Sequence, residues 1–209
     1  MKALQQYGAL ERDAEMRDNI LYAQTGIMRA SYLIANYGQA IAYAKKLIEG
    51  EKVSNELIAE SHLIYGRSAM KLEDYVAAKK EFTAISKQSS DAGAEAKYSL
   101  ALIDFKMGNF KTSQAKCYDV ANQVPSYDYW IAKSFILLAD NHLALNDKFE
   151  AKATLQSLLD NYEKDPSDPE DIKAIAQEKL DDLVLTEMNE NKAPAPLPDP
   201  ETDLNQEKN

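Results

Sequence analysis

The sequence predicts an all-α fold: a solenoid of stacked helix pairs, finished by a capping helix and a disordered tail. Three observations predict it. A corner made of a polar residue and an aromatic recurs four times, as Asn36-Tyr37, Asp74-Tyr75, Asn109-Phe110 and Asn146-Asp147-Lys148-Phe149. The corner aromatics are 38, 35 and 39 residues apart, a period that belongs to stacked supersecondary units rather than to one compact core. Finally, each corner follows a long amphipathic stretch and precedes a shorter one, with apolar residues at helical spacing.

Residues 2–15 read as a lone helix, with Leu4, Tyr7, Leu10 and Ala14 on one stripe. A helix over about 18–34 is followed by a partner that begins at Tyr37 and is stopped by Gly50. Ser54 is placed to cap the next helix, which reaches about Leu72 and pairs with 75–88. Residues 91–107 then pair with 110–123, and 127–145 with 148–162. Connections this short force consecutive helices to run antiparallel. Asp168-Pro169-Glu170-Asp171 reads as a helix start: an Asp cap, a proline in the first turn and acids at the positive dipole end. The helix it opens runs to about Met188, with a charged outer face that suits a cap on the last repeat. From Asn189 onward, Pro194, Pro196, Pro198 and Pro200 and scattered acids predict an extended tail. The expected organisation is thus an orphan helix at 1–16, four helix pairs at 17–163, a capping helix at 164–188 and the tail at 189–209.

The net charge of −10 is unevenly spread. Residues 1–162 carry 19 basic and 20 acidic side chains, whereas 163–209 carry 5 and 14. Neither part has the concentrated Lys and Arg that nucleic-acid phosphates require, so no nucleic-acid partner is expected. The single cysteine, Cys117, excludes an internal disulfide framework. No apolar run is long enough for a membrane span, and Met1–Tyr7 shows no apolar signal region. The expectation is a chain that stays in the cytoplasm or is part of something longer.

The small and large residues around the corners follow a pattern. Gly66, Ala101 and Ala139 fall at the small position of the first helix, and Ala40, Ala78 and Ala151 at that of the second. Phe82 holds a large position further along, and Pro125 closes a repeat. Ser113 replaces alanine in the third unit, and Met28 stands where the first unit should have a small residue, which predicts slightly wider packing there. In these features the chain resembles the tetratricopeptide repeat, a helix-turn-helix unit of about 34 residues. The resemblance covers about residues 2–163. It implies a right-handed superhelix whose first helices line a concave groove that holds ligands. Residues 129–140 and 149–157 look like the C-terminal repeats of long cell-envelope tetratricopeptide proteins of Gram-negative bacteria, of the Tol-Pal coordinator-like kind. That likeness implies a periplasmic or outer-membrane-associated role. Such proteins have an export signal and many earlier repeats. Their lack here, with an orphan second helix at the start, predicts the C-terminal portion of a longer protein, or its divided gene product.

Transferred by register, the groove of that family carries Tyr22, Arg29 and Tyr32 in the first repeat and Arg67, Met70 and Lys71 in the second. The third supplies Tyr98, Phe105 and Lys106, and the fourth Lys133 and Ile136. Glu60, Glu95 and Asp140 dilute the positive charge. The resemblance implies a basic, aromatic groove for an extended or helical peptide carrying acids; the competing reading is of ordinary solvated helix residues. Thr25 and Arg29 stand where a carboxylate clamp would need its first members, so that mechanism is not expected. The tail, with Leu197 and Leu204 as anchors, is either an internal ligand of the groove or an inert solubiliser.

His62 and His142 lack neighbours at metal-ligand spacing and are expected to pack between helices. Cys117 is expected to be a buried, inert thiol. Tyr127, Tyr129 and Trp130 are expected to pack on the preceding repeat, and Asp165, Asp168, Glu170 and Asp171 to serve capping rather than calcium binding. The leading expectation is a non-catalytic scaffold for a protein or peptide, with no cofactor and no metal. The alternative is a homo-oligomer formed through the apolar face of the N-terminal helix. An enzyme would need a convergent polar constellation that the sequence does not supply.

Overall fold

The computed structural model describes residues 2–190. Among these, ten α-helices and no strand are formed: α1 (Lys2–Asp13), α2 (Arg17–Leu33), α3 (Tyr37–Ile48), α4 (Asn55–Lys71), α5 (Tyr75–Ile85), α6 (Asp91–Lys106), α7 (Phe110–Ala121), α8 (Asp128–Ala144), α9 (Lys148–Asn161) and α10 (Ile172–Glu190). Each helix packs on its neighbours in the chain. Beyond that, α2 touches α4, α4 touches α6, α6 touches α8 and α8 touches α10. Helices further apart in the chain make no packing contact. The architecture is all-α and repeat-like, with the even-numbered helices in contact along its length.

The four corners share one backbone solution. A left-handed residue follows the helix cap at each: Ala35 (φ 60°), Glu73 (φ 59°), Gly108 (φ 77°) and Asn146 (φ 63°). The next residue's N–H reaches back to an orphan carbonyl of the ending helix, from Asn36 to Ser31, Asp74 to Ala69, Asn109 to Asp104 and Asp147 to His142, at 2.8–2.9 Å. That same residue then starts the second helix. The side chains of Asn36, Asp74 and Asp147 accept from the backbone N–H of Gln39, Ala77 and Glu150, whereas Asn109 makes no such bond. One residue type therefore ends one helix and begins the next, which is why the polar corner recurs.

The small residues lie where the helices approach. Ala40, Ala78, Ala101, Ala139 and Ala151 are fully buried. A Cβ added at Gly66 would sit 2.7 Å from the Phe82 ring, so the close approach of α4 to α5 depends on the missing methyl. Met28 is fully buried in one cluster with Ala40 and Ala44. Ser113 is fully buried because its hydroxyl accepts from the buried Asn141 amide of α8 at 2.9 Å, which accounts for its departure from alanine.

Three boundaries differ from expectation. Helix α5 ends at Ile85, not near residue 88. Helix α10 starts at Ile172, because Asp168 is otherwise engaged: its carboxylate accepts from the Tyr162 hydroxyl and from the Asp165 N–H. Asp171 takes over as cap, accepting from the Ala174 N–H at 3.2 Å. At its other end α10 continues to Glu190, two residues into the expected tail. The rest of that tail, with Leu197 and Leu204, lies outside the described residues.

The N-terminal helix is held by more than its stripe. Tyr7 lies against Gly26, where a Cβ would stand 2.5 Å from the ring. Glu11 accepts from Gln24 of α2 (3.0 Å) and from Tyr43 (2.6 Å) and Lys46 (3.1 Å) of α3.

Candidate inner-face binding site

Contacts between even-numbered helices bring their central residues into one row. Counted from the N-cap of the second helix, Arg29 and Arg67 each stand seven residues before the cap of their unit, Asn36 and Asp74. Glu60 and Glu95 each stand fourteen before the cap of the next, Asp74 and Asn109. The structure joins them. Arg29 makes two bonds of 2.6 Å to the two oxygens of Glu60, and Arg67 grips both oxygens of Glu95 in the same way. These bidentate forks cross from α2 to α4 and from α4 to α6.

The two rungs differ in environment. Arg29 and Glu60 remain half-open to water, whereas the Glu95 side chain is only 7% exposed. The hydrogen bonds to Glu60 raise the Arg29 pKa above its ordinary value. Burial works against the Arg67 charge, but the bonds and charge of Glu95 outweigh it, and its pKa too is held above the ordinary value.

At the third junction the rung changes character. Leu102 stands in place of arginine, and the contact from α6 to α8 is aromatic. The Tyr98 and Trp130 rings are 5.6 Å apart, and Trp130 lies 4.9 Å from Tyr129. The Lys133 ammonium sits 5.5 Å from the centre of Tyr98 and 5.7 Å from that of Tyr129 while bonding Glu170 at 2.9 Å. Burial pushes the Tyr129 phenol up to about 12 and moves that of Tyr98 in the same direction. At the last junction the polarity reverses, with Lys179 of α10 donating to Asp140 of α8 at 2.6 Å.

The other expected residues take three positions. Tyr22 is 63% exposed, with its ring edge-on to Tyr7 at 5.8 Å. Tyr32 and Phe105 are half-buried and lean on the aromatics beyond their own corners, Tyr37 at 6.0 Å and Phe105's partner Phe110 at 5.5 Å. Met70 is half-buried against the core around Phe82. Lys71 and Lys106 are the exposed last residues of α4 and α6, at the rim between the row and the corners.

The acids counted as diluting positive charge are thus the arginines' own partners. That pairing is visible in the sequence only after alignment on the caps. The spacings of 31 and 28 residues differ, because the loops between units differ in length.

Elsewhere, His62 Nδ1 lies 2.7 Å from the buried Glu81 carboxylate, and His142 meets Gln114 at 3.2 Å, both between helices. Burial pushes the Cys117 thiol up to about 12, which keeps it out of the nucleophilic thiolate form. Asp104, buried in α6, is clamped by Lys116 of α7 and Lys79 of α5. Leu4, Tyr7 and Leu10 of the α1 stripe are half-buried, and no residue of this helix is fully buried. No helix among them is long and apolar enough to cross a membrane.

No protein-family model matches the chain, and no curated protein matches it.

Proposed function

We propose that the chain is a non-catalytic scaffold, a tetratricopeptide-like right-handed solenoid that holds a peptide or helix of a partner along its even-numbered helices. One observation carries the reading. The even-numbered helices touch one another in sequence, and they carry the exposed Tyr22 on α2 and the half-buried Tyr98 and Phe105 on α6. Aromatic side chains supply large contact area at low entropic cost. The arginines act differently from the sequence expectation. Arg29 and Arg67 fix the spacing of the units through Glu60 and Glu95, and the partner's apolar groups supply most of the affinity. The rim ammoniums of Lys71 and Lys106 add a contribution to acidic partners that falls with salt.

The tetratricopeptide assignment rests on the small-residue and corner pattern. The assignment to cell-envelope assembly, in the periplasm or at the outer membrane, rests on the likeness of residues 129–157 alone. The second reading is a homo-oligomer formed through α1, which would draw on its half-buried stripe of Leu4, Tyr7 and Leu10.

A photo-crosslinking residue at Tyr22 or Phe105, in living cells, should give a covalent adduct with a partner protein. The same group at Tyr118, half-exposed on α7, should give none. Adducts at Tyr118 alone, or equal yields at all three positions, would refute an inner-face site.

A further inference from the structure

A hollow of about 530 Å³ opens between the first half of α8 and the end of α9, away from the corner that joins them. Ile131 and Phe135 of α8 and Leu158 of α9 give it apolar walls, and Asp128 and Glu163 line it as well. Asp128, Ile131 and Phe135 follow one another at helical spacing, so one stripe of α8 runs from a carboxylate to a ring. Asp128 and Glu163, with Tyr162, also line an adjoining hollow of about 480 Å³. The two are therefore continuous.

The adjoining hollow has a different chemistry. It lies among Asp91 at the start of α6, the start of α8 and the segment 162–168. Tyr127, Tyr129 and Tyr162 line it beside five carboxylates: Asp91, Asp128, Glu163, Asp165 and Asp168. Among the described residues that line it, the one ammonium, Lys164, is bound to Asp171 at 2.8 Å. Three of the acids have duties in the fold. Asp91 accepts from the Trp130 indole at 2.8 Å, Asp165 from the Ser167 hydroxyl at 2.6 Å, and Asp168 from the Tyr162 hydroxyl and the Asp165 N–H. Those donors are neutral, so the negative charges stay uncancelled. Asp128 and Glu163 are exposed and form no salt bridge among the described residues. The N-termini of α6 and α8 offset about half a charge each, which leaves the hollow strongly negative. Tyr129 registers that field: burial is the largest cause of its raised pKa, and the charges of Glu170, Asp168, Glu95 and Asp91 raise it further.

We propose that the two hollows together dock a basic protein segment, which inserts an aliphatic side chain between α8 and α9 and lays an arginine among the tyrosines and carboxylates beside them. The aliphatic group removes the Ile131, Phe135 and Leu158 surfaces from water. A guanidinium fits the second hollow because its plane stacks on phenol rings while its edge donates to carboxylates. Charge complementarity selects this occupant. Five carboxylates repel an acidic segment, and a small cation would leave the apolar hollow unfilled. The site is distinct from the inner row proposed above, because α9 and the segment 162–168 are not part of that row. Either can fail without the other.

The full chain would be titrated into a fluorescein-labelled peptide that carries two arginines and, three residues further on, two leucines. Binding with Kd of about 10–100 µM is expected at low salt, weakening as salt rises. The Asp128→Asn/Glu163→Gln variant should bind at least about fivefold more weakly. Both substitutions are on exposed side chains, and unchanged circular dichroism would show that the fold is kept. A peptide with serines in place of the leucines should lose at least about tenfold in affinity to the unaltered chain. A photo-crosslinking residue at Ser157, which lines the apolar hollow, should trap the peptide, and one at Tyr22 should not. Absence of binding, or unchanged affinity of the Asp128→Asn/Glu163→Gln variant, would overturn the proposal. Equal binding of the serine peptide would reduce the site to general attraction of cations and would overturn it too, as would adducts at Tyr22 in place of Ser157.

Discussion

The inner row and the corner edge hold similar residues and use them in opposite ways. On the inner row, Arg29 and Arg67 are tied to Glu60 and Glu95, and Lys133 is held by Glu170 between two tyrosine rings. Toward the corners, Lys80 and Lys111 form no salt bridge among the described residues, and Val76 and Met107 are exposed. The difference lies in register. Residues in the middle of neighbouring even-numbered helices face each other one unit on, so complementary side chains there become internal glue. At the corners such pairing is the exception: Lys148 meets Glu190, whereas Ile34, Leu72, Val76 and Met107 are exposed. A charge on a repeat protein is therefore read by asking what stands opposite it in the next unit.

That contrast breaks first at Arg67. Replacing it with alanine strands the buried Glu95 carboxylate and should cost about 3 kcal/mol, because an unpaired buried charge keeps its desolvation penalty. Lys80→Ala, on the edge, should change stability by less than about 0.5 kcal/mol. Urea denaturation of the two variants compares them directly, and equal losses would erase the distinction.

A smaller effect is expected where the backbones approach. Gly66→Ala drives a methyl into the Phe82 ring and should destabilise by about 1–3 kcal/mol. Combining it with Phe82→Leu should recover part of the loss, so that the two changes are not additive. The corners themselves should respond by about 1 kcal/mol: Gly108→Ala should lose stability, and Glu73→Gly should gain it, since both positions are left-handed. Thermal melts that move both variants the same way would contradict the shared corner geometry.

The smallest effect concerns the tether of α1. Burial disfavours the Glu11 charge, but the hydrogen bonds from Tyr43, Gln24 and Lys46 outweigh it and lower the pKa. The folded value then lies below the unfolded one. The tether's contribution is present above the unfolded carboxylate value of about 4.3 and is lost as pH falls through the lowered folded value. Amide exchange in α1 should accelerate relative to α4 on acidification, and Glu11→Gln should flatten that dependence.

Much of the fold was legible because period, corner and small-residue signals are local. The left-handed corner residues were legible only at Gly108 and Asn146; Ala35 and Glu73 are types that rarely adopt that conformation, and neighbouring bonds impose it on them. The start of α10 was misread because Asp168 satisfies capping statistics while its carboxylate serves Tyr162 and Asp165. The inner-row residues were found individually, but their pairing was not, since it depends on loop lengths that set which turn of α4 meets which turn of α6. Ser113 looked like a mild irregularity because its partner Asn141 lies 28 residues away on the next unit.

The internal use of the inner-row cations is tested most directly by a double-mutant cycle on folding stability with Arg67→Ala, Glu95→Ala and the pair. A paired buried rung predicts a coupling of about 2 kcal/mol, with the double variant more stable than the sum of the single losses implies. A coupling indistinguishable from zero would mean that Arg67 is not committed to Glu95, and would return it to the set of free cations facing a partner.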